Sequence, residues 1–142
     1  MNEVASQVVA AIALIRDAQG KILIQKRNLT YIPDAYGKWE FPGGTVDYGE
    51  SPYDAVRREV EEEIGCKVEI ERLLPRVESN IWKRDDGTLI QAILLCFECT
   101  IVSGTPRPSH REVAEIRWCT PAEAMEMDLL PGNKEFIKLA CE

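Results

Sequence analysis

One stretch of the sequence, GGTVDYGESPYDAVRREVEEEIGC from Gly43 to Cys66, limits what this chain can fold into more than any other. A glycine-rich loop leads into a predicted helix, for which Ser51 is a suitable N-cap residue and Pro52 a suitable first residue. Gly65 is placed to end the helix in the left-handed conformation. We therefore predict a loop followed by a helix that ends at residue 64.

The predicted helix carries an acidic face beside an apolar stripe. Glu59, Glu62 and Glu63 lie within an arc of about 100°, and the neighbouring stripe consists of Tyr53, Val56, Val60 and Ile64. Like charges at positions 59 and 63 destabilise a helix, and the C-terminal half of a helix disfavours anions. A divalent cation such as Mg²⁺ would resolve this conflict, although a solvated glutamate-rich helix is the simpler interpretation of these residues alone.

Length and charge restrict the class of protein. The 142 residues predict one domain over residues 1–142, and a net charge of −7 argues against a non-specific nucleic-acid binder. The five cysteines form no CxxC pair, and His110 is the only histidine, so the sequence does not support a zinc site. Cys96, Cys99 and Cys119 are expected to be buried apolar residues in a reducing, cytoplasmic compartment. The apolar run Val8 to Ile15 is too short to span a membrane.

The remaining segments predict strands and two further helices, hence an α/β (α+β) layered domain. Before the helix we expect a loose terminus over residues 1–6, a hairpin, a loop over 28–38 and a short strand at Lys38–Phe41. The hairpin consists of strands Val8–Ile15 and Lys21–Lys26. After the helix we expect strands at Cys66–Val77, 78–84, Leu89–Val102 and Glu112–Cys119. A capping box at Thr120–Glu123 opens a short helix, and a final helix is predicted over 134–141.

The spacing of the acidic residues resembles a known motif. Gly44, Glu50 and the run Arg58-Glu59-Val60-Glu61-Glu62-Glu63-Ile64-Gly65-Cys66 are similar to the Nudix box, G-x5-E-x7-R-E-U-x-E-E-x-G-U, where U is a bulky aliphatic residue. Every fixed position is present, and cysteine replaces the last U. The resemblance implies a Nudix-type α/β/α sandwich with a central mixed sheet. It also implies an enzyme that cleaves a diphosphate linkage of a nucleotide by metal-assisted attack of water on phosphorus.

The resemblance implies roles for the box residues. Mg²⁺, with Mn²⁺ as a possible substitute, would be held by Glu59, Glu62 and Glu63, one of which also acts as a base. Arg58 would orient one of these carboxylates, Glu50 would contribute near the metal, and the Gly43 and Gly44 backbone would shape the adjoining metal and substrate sites. Members of the family add a glutamate from a loop outside the box, for which Glu112 is the better candidate and Glu115 the second.

The flanking sequence KWEFPGG, residues 38–44, resembles the MutT-like branch, whose members hydrolyse nucleoside triphosphates. By this resemblance Arg27 contacts the nucleotide and Phe41 packs on the base. Asn133 either reads the purine edge or serves as the N-cap of the last helix. Trp39 either packs in the core or stacks on a planar ligand.

The sequence leaves the substrate open. We expect hydrolysis of a nucleoside triphosphate, such as an oxidised purine nucleotide, to a monophosphate and pyrophosphate. The alternatives are hydrolysis of a nucleoside diphosphate conjugate and a non-catalytic nucleotide-binding module. ADP-ribose and dinucleoside polyphosphate branches fit less well, because the Pro and the Tyr that they carry after the box are absent here. The expected partner is a small nucleotide, with no nucleic acid or membrane, and the oligomeric state is not predicted.

Overall fold

The computed structural model describes residues 5–28 and 32–141, which form seven strands and three α-helices. The strands are β1 (Ala5–Ile15), β2 (Ile22–Arg27), β3 (Trp39–Glu40), β4 (Gly43–Thr45), β5 (Lys67–Lys83), β6 (Leu89–Ser103) and β7 (Val113–Cys119). The helices are α1 (Pro52–Ile64), α2 (Pro121–Met125) and α3 (Asn133–Ala140), and a short 3₁₀ helix spans Pro33–Ala35.

The strands form two sheets. The larger sheet has the order β4-β1-β6-β5, in which β1 and β6 are parallel and the other pairs are antiparallel. The smaller sheet, β3-β2-β7, is antiparallel throughout. The predicted α/β class with a mixed sheet is confirmed, and the second sheet is an addition that the sequence analysis did not contain.

Alternation along β1 explains how the chain packs on both faces of the larger sheet. Ala11, Ala13 and Ile15 point to the face covered by α1, where they pack with Val56, Val60 and Ile64. Ile12 and Leu14 point to the opposite face and pack with residues of α2 and α3, namely Ala124, Phe136 and Ile137. Because both faces are covered, the second half of β1 is a continuous apolar run rather than an alternating one.

Helix α1 begins and ends as predicted. The Ser51 hydroxyl accepts a hydrogen bond from the Tyr53 N–H at 3.1 Å, and Pro52 is the first helical residue. Gly65 ends the helix with a φ of 73°, a left-handed conformation that glycine adopts readily. Of the helices in the described residues, none is long and apolar enough to cross a membrane.

Four predictions about the strands were wrong. The predicted turn joins β1 and β2 through a single antiparallel bridge between Arg16 and Ile22, but the strands do not continue as a hairpin. Instead β1 pairs with β4 and β6, while β2 pairs with β3 and β7. The two strands expected at 66–77 and 78–84 are one strand, β5, whose register shifts absorb the irregular sequence around Pro75. Gly43 and Gly44 belong to strand β4 rather than to a loop. The expected loose terminus already contains the start of β1 at Ala5, and its residues 1–4 lie outside the described residues.

The cysteines lie as expected. Cys66, Cys96, Cys99 and Cys119 are buried thiols, and Cys141 is exposed. Burial raises the pKa of Cys99 to about 12, so this thiol stays protonated at neutral pH. Such thiols pack as small apolar residues and are poor nucleophiles.

Candidate active site

Two pockets adjoin at strand β4. The acidic pocket is lined by Glu40, Glu59, Glu63 and Glu112, among other residues. The apolar pocket lies on the face of the larger sheet that turns away from α1, and its lining includes Phe41, Trp82, Leu94 and Asn133. Both pockets share Arg27, Glu40, Gly43, Gly44 and Thr45, so one ligand can extend from one pocket into the other.

Three carboxylates meet in the acidic pocket. Glu59, Glu63 and Glu112 each place one oxygen within 4.8 Å of the others. Glu112 reaches the helix because the loop before β7 is bound to the end of α1. The Arg107 N–H donates to the Ile64 carbonyl at 3.1 Å, and the Ser109 N–H donates to the Glu63 carbonyl at 3.0 Å. The free carbonyls at the C-terminus of α1 thereby hold the loop in place, and the loop positions Glu112 as the third acidic side chain.

Glu63 is the most deeply buried member of this group, with 6% of its surface exposed. Its Oε1 accepts hydrogen bonds from the Gly43 N–H at 2.9 Å and from the Gln25 amide at 3.1 Å. Burial, followed by the neighbouring Glu40, raises the pKa of Glu63 well above its usual range. Within residues 5–28 and 32–141 no ion pair to Glu63 occurs, and these two hydrogen bonds are the contacts that favour its charged form.

Gln25 and Glu40 extend this network, and the sequence analysis missed both. The buried Gln25 amide also donates to Glu40 at 3.3 Å, and Glu40 accepts a further bond from Arg27 at 3.0 Å. Burial raises the pKa of Glu40, and the positive charge of Arg27 opposes that shift. The position of Gln25 two residues after Leu23 could have revealed its role. Side chains two residues apart in a strand point to the same face, and here that face is turned toward α1.

Arg58 connects Glu50, in the loop before α1, to Glu59 on the helix. Its guanidinium donates to both oxygens of Glu50, at 2.8 and 3.0 Å, and to Glu59 at 3.0 Å. The hydrogen bonds from Arg58 are the main reason that the pKa of Glu50 falls to about 2. Burial raises the pKa of Glu59, against the opposing charge of Arg58. Arg58 thus orients Glu59, while Glu50 lies on Arg58 rather than in the group of three carboxylates.

Two other predicted acidic residues lie outside that group. Glu62 is exposed and faces Arg58 at 3.3 Å, on the outer side of the carboxylates. Glu115 is exposed on β7 and pairs with Arg117 at 3.1 Å, so Glu112 is the glutamate that the fold brings to the helix. Glu62 remains close enough to the group for its charge to raise the pKa of Glu59.

Gly43 and Gly44 allow β4 to pass very close to its neighbours. A Cβ on Gly43 would overlap the Ala11 carbonyl oxygen, and the φ of 149° is itself unfavourable for other residues. A Cβ on Gly44 would lie 2.6 Å from the Glu59 carboxyl carbon. Glycine at these two positions therefore lets the strand backbone form the wall of the acidic pocket.

Gly44→Ala is expected to lower kcat by roughly 10–100-fold while leaving the melting temperature nearly unchanged. The three atoms nearest to the new methyl group all belong to the end of the Glu59 side chain, which can turn away at little cost to the fold but then loses its position. Steady-state kinetics and thermal melts of the variant test this, with Glu61→Gln as the control, because Glu61 is exposed on α1 and lines neither pocket. A kcat equal to that of the wild type would show that the position of Glu59 is not limiting.

The predicted substrate residues divide into two sets. Arg27, Phe41 and Asn133 line the apolar pocket, and Phe41 is at the same time a core residue with 1% of its surface exposed. Trp39 packs in the same core and lines neither pocket. Lys26 and Arg117 lie over the Trp39 ring at 5.9 and 4.9 Å from its centroid. Asn133 is not the N-cap of α3, because Gly132 occupies that position and the Asn133 Oδ1 instead accepts from the Phe41 N–H at 3.0 Å.

The acidic pocket has the donor set that a hard divalent cation requires. Carboxylate oxygens are the ligands of Mg²⁺ and Mn²⁺, and the three in this group are close enough to share one ion. The burial that raises the pKa values of Glu59 and Glu63 is a free-energy cost that a bound cation would offset. The residues therefore fit a metal ion, with Glu59, Glu63 and Glu112 as its nearest ligands.

A carboxylate group at the mouth of an open pocket is typical of hydrolases that act on phosphate groups through a divalent metal. The sequence model of the Nudix domain matches residues 6–140. The chain belongs to the Nudix family and is a Nudix hydrolase, a family whose members generally use divalent metals.

The relatives are enzymes named for different nucleotides. The chain is 31% identical over 133 residues to the "Putative 8-oxo-dGTP diphosphatase 2" of Mycobacterium tuberculosis, covering 93% of this chain and 86% of that protein. It is 29% identical to the CTP pyrophosphohydrolase of Escherichia coli, covering 89% and 87%. The crystal structure of the MutT protein from Methanosarcina mazei superposes with a TM-score of 0.73 at 26% identity, over 94% of this chain and 92% of that one.

Proposed function

We propose that this Nudix hydrolase is a Mg²⁺-dependent nucleoside triphosphate pyrophosphohydrolase that releases a nucleoside monophosphate and pyrophosphate. The observation that carries the proposal is the adjoining pair of pockets, one acidic and one apolar, with Arg27 shared between them. A nucleotide has the matching chemistry, because its phosphates need a metal and its base needs an apolar surface. An oxidised purine nucleotide is the specific substrate suggested by the names of relatives.

The proposed roles follow from position. Glu59, Glu63 and Glu112 would hold the metal, with Glu62 next to them, and bound Mg²⁺ would supply charge neutralisation at the phosphates and a water of lowered pKa. Arg58 keeps Glu59 in place, and one of the carboxylates accepts the proton of the attacking water. Arg27 lies at the boundary of the two pockets, where its charge would face the phosphates and the sugar end of the nucleotide.

A substrate panel tests this proposal. The purified protein is incubated in Mg²⁺ with ribo- and deoxyribonucleoside triphosphates, 8-oxo-dGTP, ADP-ribose and nucleoside diphosphate sugars, and the products are separated by ion exchange. We expect a nucleoside monophosphate and pyrophosphate in equal amounts. Reaction in H₂¹⁸O then places the label in the monophosphate or in the pyrophosphate, which identifies the phosphorus that water attacks.

Two outcomes would contradict the proposal. Release of a phosphorylated sugar in place of pyrophosphate would assign the enzyme to nucleoside diphosphate conjugates. Tight nucleotide binding without turnover would indicate a binding module. Glu61→Gln is a suitable control in every assay, because Glu61 is an exposed glutamate of α1 that lines neither pocket.

A further inference from the structure

We propose that Asn80 determines base specificity by accepting a hydrogen bond from the exocyclic amino group of the substrate base. This inference rests on the proposed function, since it concerns which nucleotide the apolar pocket selects. Asn80 lies on β5, opposite Ala92 of β6, and lines the apolar pocket. It is one of the few polar side chains on a floor that consists mainly of apolar residues.

The floor of the apolar pocket is one face of the larger sheet. Its apolar residues come from alternate positions of two strands, Val8, Ala10 and Ile12 on β1 and Ile90, Ala92 and Leu94 on β6. Asn80 and Trp82 occupy the corresponding alternate positions on β5. Flat apolar surroundings of this kind suit a planar base, and the partly exposed Trp82 side chain provides an aromatic surface for it.

The hydrogen bonds of Asn80 are incomplete. Its Nδ2 donates to the Pro131 carbonyl at 3.2 Å, and its Oδ1 is buried without a hydrogen-bond partner among the described residues. The orientation of the amide is set by chemistry, because a carbonyl can only accept and the atom facing it must be the nitrogen. The side chain therefore carries an unpaired acceptor that is almost inaccessible, and a ligand group reaches it only when the side chain turns toward the pocket. A buried acceptor without a donor is unfavourable, which favours such a turn.

The unpaired acceptor identifies the class of ligand. A group that satisfies it must carry an N–H or O–H, and it must arrive with a flat apolar molecule that fills the pocket. Among nucleobases the exocyclic amino group of guanine, adenine or cytosine extends beyond the ring and can reach the floor of a pocket. Asn133 complements Asn80, because its Oδ1 is held by the Phe41 N–H and its amide nitrogen remains available to donate.

Pairs of nucleotides that differ in one amino group test the inference. The pairs are dGTP with dITP, ATP with purine riboside triphosphate, and CTP with UTP. For the pair that contains the best substrate, we expect the wild type to favour the amino-bearing member by about 10–100-fold in kcat/KM. A site built to hydrogen-bond a group rejects the analogue that lacks it, because the partner is then left unpaired.

Two variants and a control complete the experiment. Asn80→Leu and Asn80→Ala remove the acceptor and are expected to reduce the preference to within about 3-fold. Ser79→Ala is the matched control, because Ser79 is exposed and points to the other face of β5. Thermal melts establish which variants are folded. If Asn80→Leu is not folded, Asn80→Ala provides the test.

The possible outcomes separate this inference from the proposed function. If the wild type does not discriminate within any pair, or if its preference persists in folded Asn80→Leu or Asn80→Ala, the inference is overturned while pyrophosphohydrolase activity stands. If no nucleotide is hydrolysed, the proposed function fails. Calorimetric titration with the matched monophosphates GMP and IMP, AMP and purine riboside monophosphate, and CMP and UMP then tests Asn80 directly. Equal affinity within every pair overturns the inference in that case as well.

Discussion

Glu63→Gln is expected to lower kcat by roughly 10²–10⁴-fold with a much smaller change in KM for the nucleotide. Glutamine keeps the size of the side chain and can still accept from the Gly43 N–H, so the backbone of β4 has no reason to move. What is lost is the charge of the most deeply buried carboxylate of the group. The expected result is thus a folded protein that binds the nucleotide but turns it over very slowly.

Three measurements distinguish this expectation from a general loss of structure. The melting temperature in EDTA should stay equal to that of the wild type or rise, because the substitution removes a buried charge whose pKa is raised by burial. The Mg²⁺ concentration required for half-maximal activity should increase. Glu61→Gln on the exposed side of the same helix should change neither quantity. A Glu63→Gln enzyme with wild-type kcat would remove Glu63 from the metal site.

Removal of the metal should abolish turnover and lower thermal stability, by an amount that depends on pH. At a Mg²⁺ concentration 100 times its Kd, binding adds about 2.7 kcal/mol to the free energy of unfolding, which raises Tm by roughly 5–10 °C. Mg²⁺ binds the ionised carboxylates, so the difference in Tm between Mg²⁺ and EDTA samples should grow as the pH rises from 5 to 8.

The sign follows from the raised pKa values of Glu40, Glu59 and Glu63, each of which starts from a usual value of 4.5. A carboxyl group whose pKa is raised by folding stabilises the folded state below 4.5, and this contribution is lost as the pH rises through the raised pKa. As the pH rises through the raised pKa values, the EDTA sample therefore loses the stability that these groups contribute. Over the same pH range the Mg²⁺ sample gains stability from metal binding.

Melting the Mg²⁺ and EDTA samples side by side at each pH gives the difference in Tm directly. Contributions to stability that do not involve the metal, such as that of Glu50, are the same in both samples and cancel. Glu63→Gln should flatten the pH dependence of this difference, whereas Glu61→Gln should reproduce the wild-type curve. A difference in Tm that is constant between pH 5 and 8 would indicate that the metal does not displace protons from these side chains.

The sequence predicted α1 well because its determinants are local. Ser51, Pro52 and Gly65 act through hydrogen bonds and backbone angles within a few residues, and the structure confirms all three. The pairing of the strands depends on contacts across the whole chain, such as β1 with β6, and no local pattern distinguishes that pairing from a hairpin with β2. The same reason explains the single long strand β5, whose continuity depends on β6.

The site was predictable to the extent that it lies on one helix. Glu59 and Glu63 follow from helical spacing, and Glu112 was selected by resemblance rather than by any physical signal. Gln25 and Glu40 come from two neighbouring strands whose register brings them together, and a sequence alone does not give that register. Asn80 was hidden for a related reason, since its unpaired oxygen is a property of the folded pocket.

The apolar floor and the residues that pack on α1 lie on opposite faces of the larger sheet, and this arrangement affects how the family can diversify. The apolar floor on β5 and β6 points away from the residues that pack on α1. Mutations that reshape the floor can therefore accumulate without disturbing the carboxylates, and mutations that tighten α1 leave the floor intact. A fold with this arrangement can drift in substrate preference while its reaction is conserved. Two relatives that are 31% and 29% identical to this chain are named for different nucleotides, which is consistent with such drift.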